Sequence, residues 1–217
     1  MSIMSDAYGK MYPMETKEKK SSGKPTKVLD VPEFKQAWDL HRETSTNIVK
    51  RFEYMAQCVG FTDKDTEAIK ESTDIIAANL KTILDHIYYE KLITDPWLSR
   101  WFRDENGEIS RKYVDVRRAK QQKFLLRILE CKWDEDFLNH VRWVGAIHVP
   151  TFGLEDMYIP IRLNISLWGY IHQYLFNLFA EELRSDPDKL RRITTAWTKL
   201  FWLVIDLYHI EYLPSWM

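Results

Sequence analysis

The sequence contains few glycine and cysteine residues, and each scarcity excludes a class of protein. Only 7 of the 217 residues are glycine, which is too few for the many tight turns of an all-β fold. The two cysteines, Cys58 and Cys131, are isolated and match no metal-binding spacing. The sequence therefore predicts neither a disulfide framework nor a cysteine metal site, and this usage is typical of a reduced, cytoplasmic protein.

An excess of one charge and a long apolar run are also absent. The 31 basic and 32 acidic residues give a formal net charge of −1, so no overall field favours nucleic acid. No apolar stretch is long enough to span a bilayer, and the first residues lack the core of a signal peptide. What the chain does contain is 45% hydrophobic and 14% aromatic residues, which either fill a core or line a pocket for a flat, apolar ligand.

The chain divides into a polar arm and one helical domain. Residues 1–28 are rich in lysine and interrupted by Gly, Pro and Ser, which predicts a flexible N-terminal arm. Over residues 29–217, apolar residues recur at helical spacing between capping residues, and we find no strand alternation and no glycine-rich phosphate loop. The sequence therefore predicts an all-α domain of roughly eight helices.

Several helix boundaries are marked by capping or breaking residues. Thr62 and Ser110 are expected N-caps, and Pro96 is expected to begin a short helix. The last two helices are predicted over 157–184 and 187–213, and the apolar residues of both cover more than one face of the helix. We expect one thin layer of helices to be unable to bury all of their large side chains, namely Trp168, Ile171, Leu175, Phe179, Trp197, Phe201, Ile205 and Tyr208.

A single histidine ends the predicted helix "DEDFLNHVRWVGAIH". His148 continues the inward stripe of Phe137, Val141 and Val144, and Gly145 leaves space beside it. Two interpretations are open at this point. The imidazole is either a satisfied core residue or an iron ligand for a large, flat group that lies across the helix.

Two further polar residues fall on apolar helix faces. Tyr88 continues the apolar stripe of its helix at i+4 spacing, whereas Tyr89 turns away. Gln121 shares a face with Phe124 and Leu125 in the next long helix, and a buried amide needs hydrogen-bond partners. The alternatives are that Tyr88 only packs with one hydrogen bond and that Gln121 reaches solvent.

Motifs for hydrolytic chemistry are missing. The sequence has no H-E-x-x-H pair for zinc and no nucleophile elbow. Asp206 and His209 lie at i and i+3 on one predicted helix, which is typical of a surface pair.

Two segments resemble the protoglobin and globin-coupled-sensor lineage of globins. "VGAIHVPTFGLEDMYIPI" is similar to the segment in which an apolar-small-small-x-His run ends the proximal helix and a Trp-Tyr-Ile run opens the next. Tyr158 and Ile159 match that run, and Met157 replaces its Trp. "LDHIYYEKL" resembles the segment that carries the distal tyrosine, which corresponds to Tyr88, although Ile87 replaces the usual aromatic residue.

The resemblance extends from about Glu33 to the C-terminus and implies a globin fold, a helical sandwich with an additional N-terminal helix. "FTDKDTEAIKE" looks like the entry to the first regular globin helix. The cofactor implied is haem b, with His148 as the proximal iron ligand and Tyr88, together with Gln121, beside the gas ligand. Arg117 and Tyr158 are candidates for the haem propionates, and the remaining residues expected at the haem are Phe102, Phe124, Leu125 and Val144.

The function implied is reversible binding of O₂, CO or NO for sensing or carriage in the cytoplasm. One alternative is a haem enzyme that acts on nitric oxide, nitrite or peroxide, and another is a haem-free helical interaction module. The resemblance also implies a homodimer through the last two helices and, for a sensor, a protein partner that receives the signal. The chain ends at Met217 directly after its last globin-like helix, so we expect a stand-alone globin.

Overall fold

The computed structural model describes residues 39–40, 43–150 and 158–212, and those residues form helices joined by turns and short connecting segments. They contain no β-strand, only an isolated antiparallel bridge between Arg103 and Ile109. The predicted boundary between residues 28 and 29 and the beginning of the resemblance near Glu33 lie outside the described residues. From residue 48 on, the helices are α1 Ile48–Val59, α2 Asp63–Glu71, α3 Thr73–Asp85, the π-helical segment His86–Leu92, a 3-10 helix Leu98–Phe102, α4 Arg111–Leu129, α5 Glu135–Ala146, α6 Ile161–Glu182, α7 Pro187–Tyr208 and a second 3-10 helix Ile210–Tyr212.

Capping residues place several helix starts where the sequence predicts them. Thr62 is the N-cap of α2, and its backbone N–H donates to Asp65 Oδ2 at 2.8 Å, so the two residues form a capping box. Ser110 is the N-cap of α4 but its side chain makes no capping hydrogen bond. Asp186 caps α7 directly before Pro187, a proline position that costs no helical hydrogen bond. Helix α1 lies ahead of α2, in agreement with an additional helix before the regular globin helices.

The segment after α3 is wider than an ordinary helix. Ile93 N–H donates to Tyr88 O at 3.2 Å, a bond from residue i+5 to residue i, and the π-helical turn spans His86–Leu92. Such turns are rare and occur frequently at functional sites. Here the turn directs both Ile87 and Tyr88 into the core, where they are 3% and 7% exposed.

Helix α7 is the centre of the domain and packs against α1, α2, α5 and α6. Its contact with α5 is close because Gly145 has no side chain. A Cβ atom added at Gly145 would lie 1.8 Å from the backbone oxygen of Tyr208, so only glycine permits this approach. The buried residues of α7 are Ile193, Thr194, Ala196, Trp197, Leu200, Phe201, Leu203, Val204, Leu207 and Tyr208.

The last two helices differ from the sequence prediction in extent and in burial. Helix α6 begins at Ile161, after the N-cap Pro160, and ends at Glu182, while α7 ends at Tyr208. The expectation that one layer cannot bury their large side chains is not met, because α6 and α7 pack on each other and on the helices around them. Ile171 and Ile205 are half-buried, and the other six are buried within the chain: Trp168, Leu175, Phe179, Trp197, Phe201 and Tyr208.

The predicted surface pair of Asp206 and His209 is wrong. Asp206 accepts two hydrogen bonds of 2.7 Å from Arg51 of α1, which is an ion pair between distant parts of the chain. His209 is only 6% exposed, because its ring packs edge-on against Tyr208 and Tyr212. None of the described helices is both long enough and apolar enough to cross a membrane.

Candidate functional site

A cavity of about 320 Å³ lies among α4, α5, α6 and the end of α7, and the π-helical segment and the first 3-10 helix complete its wall. This volume is in the range of pockets that hold cofactors and small molecules. Most of its lining is aromatic or aliphatic, with Trp168 and Tyr208 at the inner wall, where they are 9% and 5% exposed. The cavity therefore suits a flat, largely apolar group.

His148 lies in the wall of this cavity with a defined tautomer. Its Nδ1 atom is 2.6 Å from the carbonyl oxygen of Val144, which can only accept a hydrogen bond. Nδ1 therefore carries the proton and donates it, and the lone pair remains on Nε2. Burial lowers the pKa of His148 to about 4, so the imidazole is neutral near pH 7, the form in which histidine binds metals.

The hydroxyl oxygen of Tyr208 is a second neighbour of the same nitrogen, at 2.8 Å from Nδ1 and 3.5 Å from Nε2. Tyr208 belongs to α7, so two helices orient the ring of His148. Burial raises the pKa of Tyr208 well above its usual value, and its side chain stays a neutral phenol. A hydrogen-bonded outer neighbour of this kind fixes the orientation of an imidazole and increases its basicity as a ligand.

The local backbone explains the position of His148. Helix α5 ends at Ala146, two residues earlier than the sequence predicts, and the next turn tightens. His148 N–H donates to Gly145 O at 3.0 Å and Val149 N–H donates to Ala146 O at 3.2 Å, which are i+3 to i bonds. The sequence interpretation of Gly145 as space for a flat ligand is wrong, since that space is filled by the backbone of Tyr208.

Tyr88 lines the cavity from the π-helical segment. Its hydroxyl donates to the carbonyl oxygen of Arg117 at 3.2 Å, and its ring packs edge-on against Phe102 with centroids 6.2 Å apart. Burial raises the pKa of Tyr88, and the nearby cations of Arg117 and Arg118 offset only part of that rise. The hydroxyl therefore remains protonated and can donate a hydrogen bond to a group inside the cavity.

Helix α4 adds polar and basic residues to an otherwise apolar lining. Gln121 and Arg117 are half-buried there, and the guanidinium of Arg117 lies 5.9 Å from the ring centroid of Tyr113. Lys120 and Lys123 also line the cavity, but both are exposed. Cationic groups at this position would attract carboxylates at the edge of a bound ligand.

Most of the residues predicted from the sequence meet at this cavity, and two do not. Leu125 is buried in the core next to the cavity, because it points away from its neighbour Phe124 on α4. Tyr158 is 49% exposed, and its ring lies 6.5 Å from that of Tyr212 rather than in the lining. The predicted residues that the structure brings together are Tyr88, Phe102, Arg117, Gln121, Phe124, Val144 and His148.

Sequence reasoning missed several lining residues. The sequence marks Tyr208 only as one of the large side chains of the last helix, and nothing in it indicates a hydrogen bond to a histidine 60 positions away. Trp101, His140 and Trp143 also line the cavity, and Asn164 adds a buried amide. Within the described residues, no three His, Cys, Asp or Glu side chains converge to form a metal site, so a metal here would depend on the single imidazole of His148.

No curated protein matches this chain. Among solved structures, the globin domain of the Geobacter sulfurreducens globin-coupled sensor is similar, with a TM-score of 0.60 and 14% sequence identity. That match covers 75% of this chain and 97% of the sensor globin domain, and it shows a globin fold. The protein-family model described as Protoglobin matches residues 49–215, and the chain therefore belongs to the protoglobin family.

Proposed function

We propose that this protein binds one haem b per chain through Nε2 of His148 and reversibly binds a diatomic gas on the other side of the iron. The observation that carries the proposal is the tautomer of His148. A buried, neutral imidazole whose Nδ1–H is held by Val144 O presents an unshared Nε2 pair beside an apolar cavity. Haem iron would supply the site at which the gas coordinates.

The described lining fits the other features of haem. The tetrapyrrole is flat and apolar, and aromatic side chains such as Phe102, Phe124 and Trp168 form the wall. Its two propionates need cations or hydroxyl groups. Arg117 is the proposed partner because it lines the cavity and makes no ion pair with another described residue. Tyr158 remains the second candidate, although it lies outside the lining in the structure.

Tyr88 and Gln121 are the proposed hydrogen-bond donors to the bound gas. Iron-bound O₂ carries negative charge on its outer atom, which a hydroxyl or an amide stabilises. In the structure the Tyr88 hydroxyl donates to the backbone carbonyl of Arg117 at 3.2 Å, a bond long enough to be exchanged for one to a ligand. Carbon monoxide carries less charge and gains less from the same donors.

Gas binding is favoured over rapid peroxide turnover by the position of the histidines. Peroxide cleavage needs a group that moves a proton between the two oxygen atoms, usually a histidine. His86 is close to Tyr88 in sequence but lies outside the cavity lining, where its ring nitrogens contact Glu90 and Tyr170 at 2.6 Å each. His140 does line the cavity, but it belongs to α5, the helix that leads to His148.

A homodimer through α6 and α7 also belongs to the proposal. Exposed apolar side chains on these two helices support it: Ile165 is 45% exposed, Phe176 is 41% exposed and Trp202 is 57% exposed. On α6, Ile165 and Phe176 lie eleven residues apart, which places them on one face. A dimer by light scattering that becomes a monomer in Trp202→Glu is expected, and a wild-type monomer at micromolar concentration would contradict it.

The direct test is haem binding to the purified protein. Wild type is expected to give a Soret band that shifts on adding CO to the ferrous form, with one haem per chain. His148→Ala is expected to lose most haem, whereas His172→Ala, a histidine outside the cavity, should retain it. Normal haem content and spectra in His148→Ala would rule out the ligand assignment, and a colourless wild type after haem titration would indicate a haem-free helical module.

A further inference from the structure

Helix α4 carries an unusual concentration of positive charge. In a chain of net charge −1, its 19 residues contain a single acid, Asp115, and seven basic residues. Such an imbalance on one helix creates a local positive field even in a neutral protein. The basic residues of α4 are Arg111, Lys112, Arg117, Arg118, Lys120, Lys123 and Arg127.

Most of this charge is not neutralised by ion pairs. Arg118 pairs with Asp85 at 2.7 Å, and Arg127 pairs with Asp136. The other five basic residues of α4 make no ion pair with any described residue. The single acid of the helix, Asp115, instead accepts a hydrogen bond from the Tyr89 hydroxyl. Lysines that stay unpaired and exposed are available to a partner.

Two of these lysines and one tryptophan form the solvent-exposed part of the described cavity lining, which is called the mouth of the cavity below. Among the described lining residues, the exposed ones are Lys120, Lys123 and Trp143. Trp143 is 54% exposed, and its ring stacks on His140 with centroids 6.1 Å apart and planes inclined by 28°. An exposed, oriented tryptophan and two exposed cations in the lining of one cavity are the residue types that carry binding energy and steering at protein interfaces.

We propose that Lys120, Lys123 and Trp143, here called the mouth surface, form the docking site for an acidic protein that donates one electron to the haem. The partner is an iron–sulfur or flavin protein with a negatively charged face around its cofactor. This inference rests on the proposed function, because O₂ and CO bind ferrous haem and the ferric form must be reduced before it binds them again. One electron leaves the reduced cofactor of the partner and converts ferric to ferrous iron, and the step requires no proton.

Charge and position favour this partner over the other ligands of basic surfaces. The two lysines are exposed at the mouth, and Arg117, the next cation along the lining, is half-buried in the cavity wall. A nucleic acid duplex is bound through a longer row of phosphate contacts than these provide. Docking at the mouth would bring an electron donor close to a haem held in the cavity.

Stopped-flow reduction and binding titration test the docking site with reduced [2Fe–2S] ferredoxin, an acidic protein, as the probe. Lys120→Glu/Lys123→Glu is compared with Lys64→Glu/Arg184→Glu, which makes the same change in net charge at exposed basic residues that lie neither on α4 nor in the cavity lining. The wild-type association rate should fall steeply with salt. The mouth variant should associate about tenfold more slowly or worse, with the control close to wild type. Trp143→Ala should mainly increase the dissociation rate.

Three results would overturn the assignment. Equal ferredoxin association rates in the mouth and control variants would show that the lysines do not dock the donor. Loss of haem from the mouth variant would show that they hold propionates instead. Binding of duplex DNA or anionic vesicles that depends on these lysines, without an effect on ferredoxin, would identify another partner. The titration is repeated on haem-free protein, so a failure to bind haem would be seen separately from a failure to dock.

Discussion

Replacement of Gly145 by alanine is expected to disturb both the fold and the candidate site, because this glycine sets the distance between α5 and α7. The new Cβ would lie 1.8 Å from the backbone oxygen of Tyr208, 2.6 Å from its carbonyl carbon and 3.0 Å from its Cα. Ordinary contact requires about 3.4 Å or more, so α7 must move by roughly 1.5 Å at this point. The obstacle is backbone, which cannot rotate away as a side chain would.

The magnitude follows from two opposing effects. Overpacking of a tight contact costs about 1–3 kcal/mol and sometimes more. Alanine also gains about 1 kcal/mol over glycine in a helix interior. Because relief of this clash moves a whole helix, the overpacking cost is expected at the upper end of its range, about 3 kcal/mol. After the gain from alanine is subtracted, we expect Gly145→Ala to lower the free energy of unfolding by about 2 kcal/mol. The same movement carries the Tyr208 hydroxyl away from Nδ1 of His148, which it contacts at 2.8 Å.

Gly169 provides the matched control. It also lies inside a helix, α6, but a Cβ there meets nothing within 4 Å. Gly169→Ala is therefore expected to raise the free energy of unfolding by up to about 1 kcal/mol. Urea unfolding of the haem-free proteins, followed by circular dichroism, measures both changes. Equal stabilisation by the two substitutions would show that α5 and α7 are not in close contact at Gly145.

The remaining predictions concern the candidate site and Cys131. Tyr88→Phe is expected to speed O₂ dissociation about tenfold, measured by laser photolysis, and to change CO dissociation less; equal O₂ rates would contradict the distal role. Tyr208→Phe removes one hydrogen-bond acceptor from Nδ1–H of His148. The iron–histidine stretching frequency should therefore fall, and the ferric/ferrous reduction potential should rise. Unchanged values of both would contradict this arrangement. Burial raises the pKa of Cys131 to about 11. The thiol of the unfolded chain ionises at a lower pH than that of the folded chain, so the free energy of unfolding should decrease as the pH rises from about 8.5 to 11. In the Cys58→Ser variant, the alkylation rate of Cys131 should keep rising over the same pH range.

The sequence predicts the helices well because the capping and periodicity signals are local. Thr62 with Asp65, and Asp186 before Pro187, place two helix starts through bonds within four residues. The π-helical turn has no such signal, since a one-residue widening leaves the apolar stripe through Tyr88 almost unchanged. Helix ends were predicted less accurately, and α5 stops two residues before His148 because the last turn tightens.

The residues of the candidate site also separate into those that the sequence predicts and those that it does not. Residues that continue an apolar stripe, such as Tyr88, Phe124 and His148, were found from periodicity together with the resemblance, and all three line the cavity. The sequence marks Tyr208 only as one of the large side chains of the last helix, because its bond to His148 joins two helices whose register depends on a single glycine. Leu125 lies in the core and not in the cavity lining for a related reason: periodicity identifies an inward face, but it does not separate cavity from core.

Iron ligation by His148 is the central claim, and ligand replacement tests it most directly. His148→Gly is purified and reconstituted with haem in the presence of imidazole, and resonance Raman spectra are recorded with ordinary and with deuterated imidazole. If Nε2 of His148 is the ligand, haem binding should depend on added imidazole, and the iron–nitrogen stretching band should shift with the deuterated form while the wild-type band does not. A variant that holds haem without imidazole, with a wild-type iron–nitrogen band, would contradict the assignment.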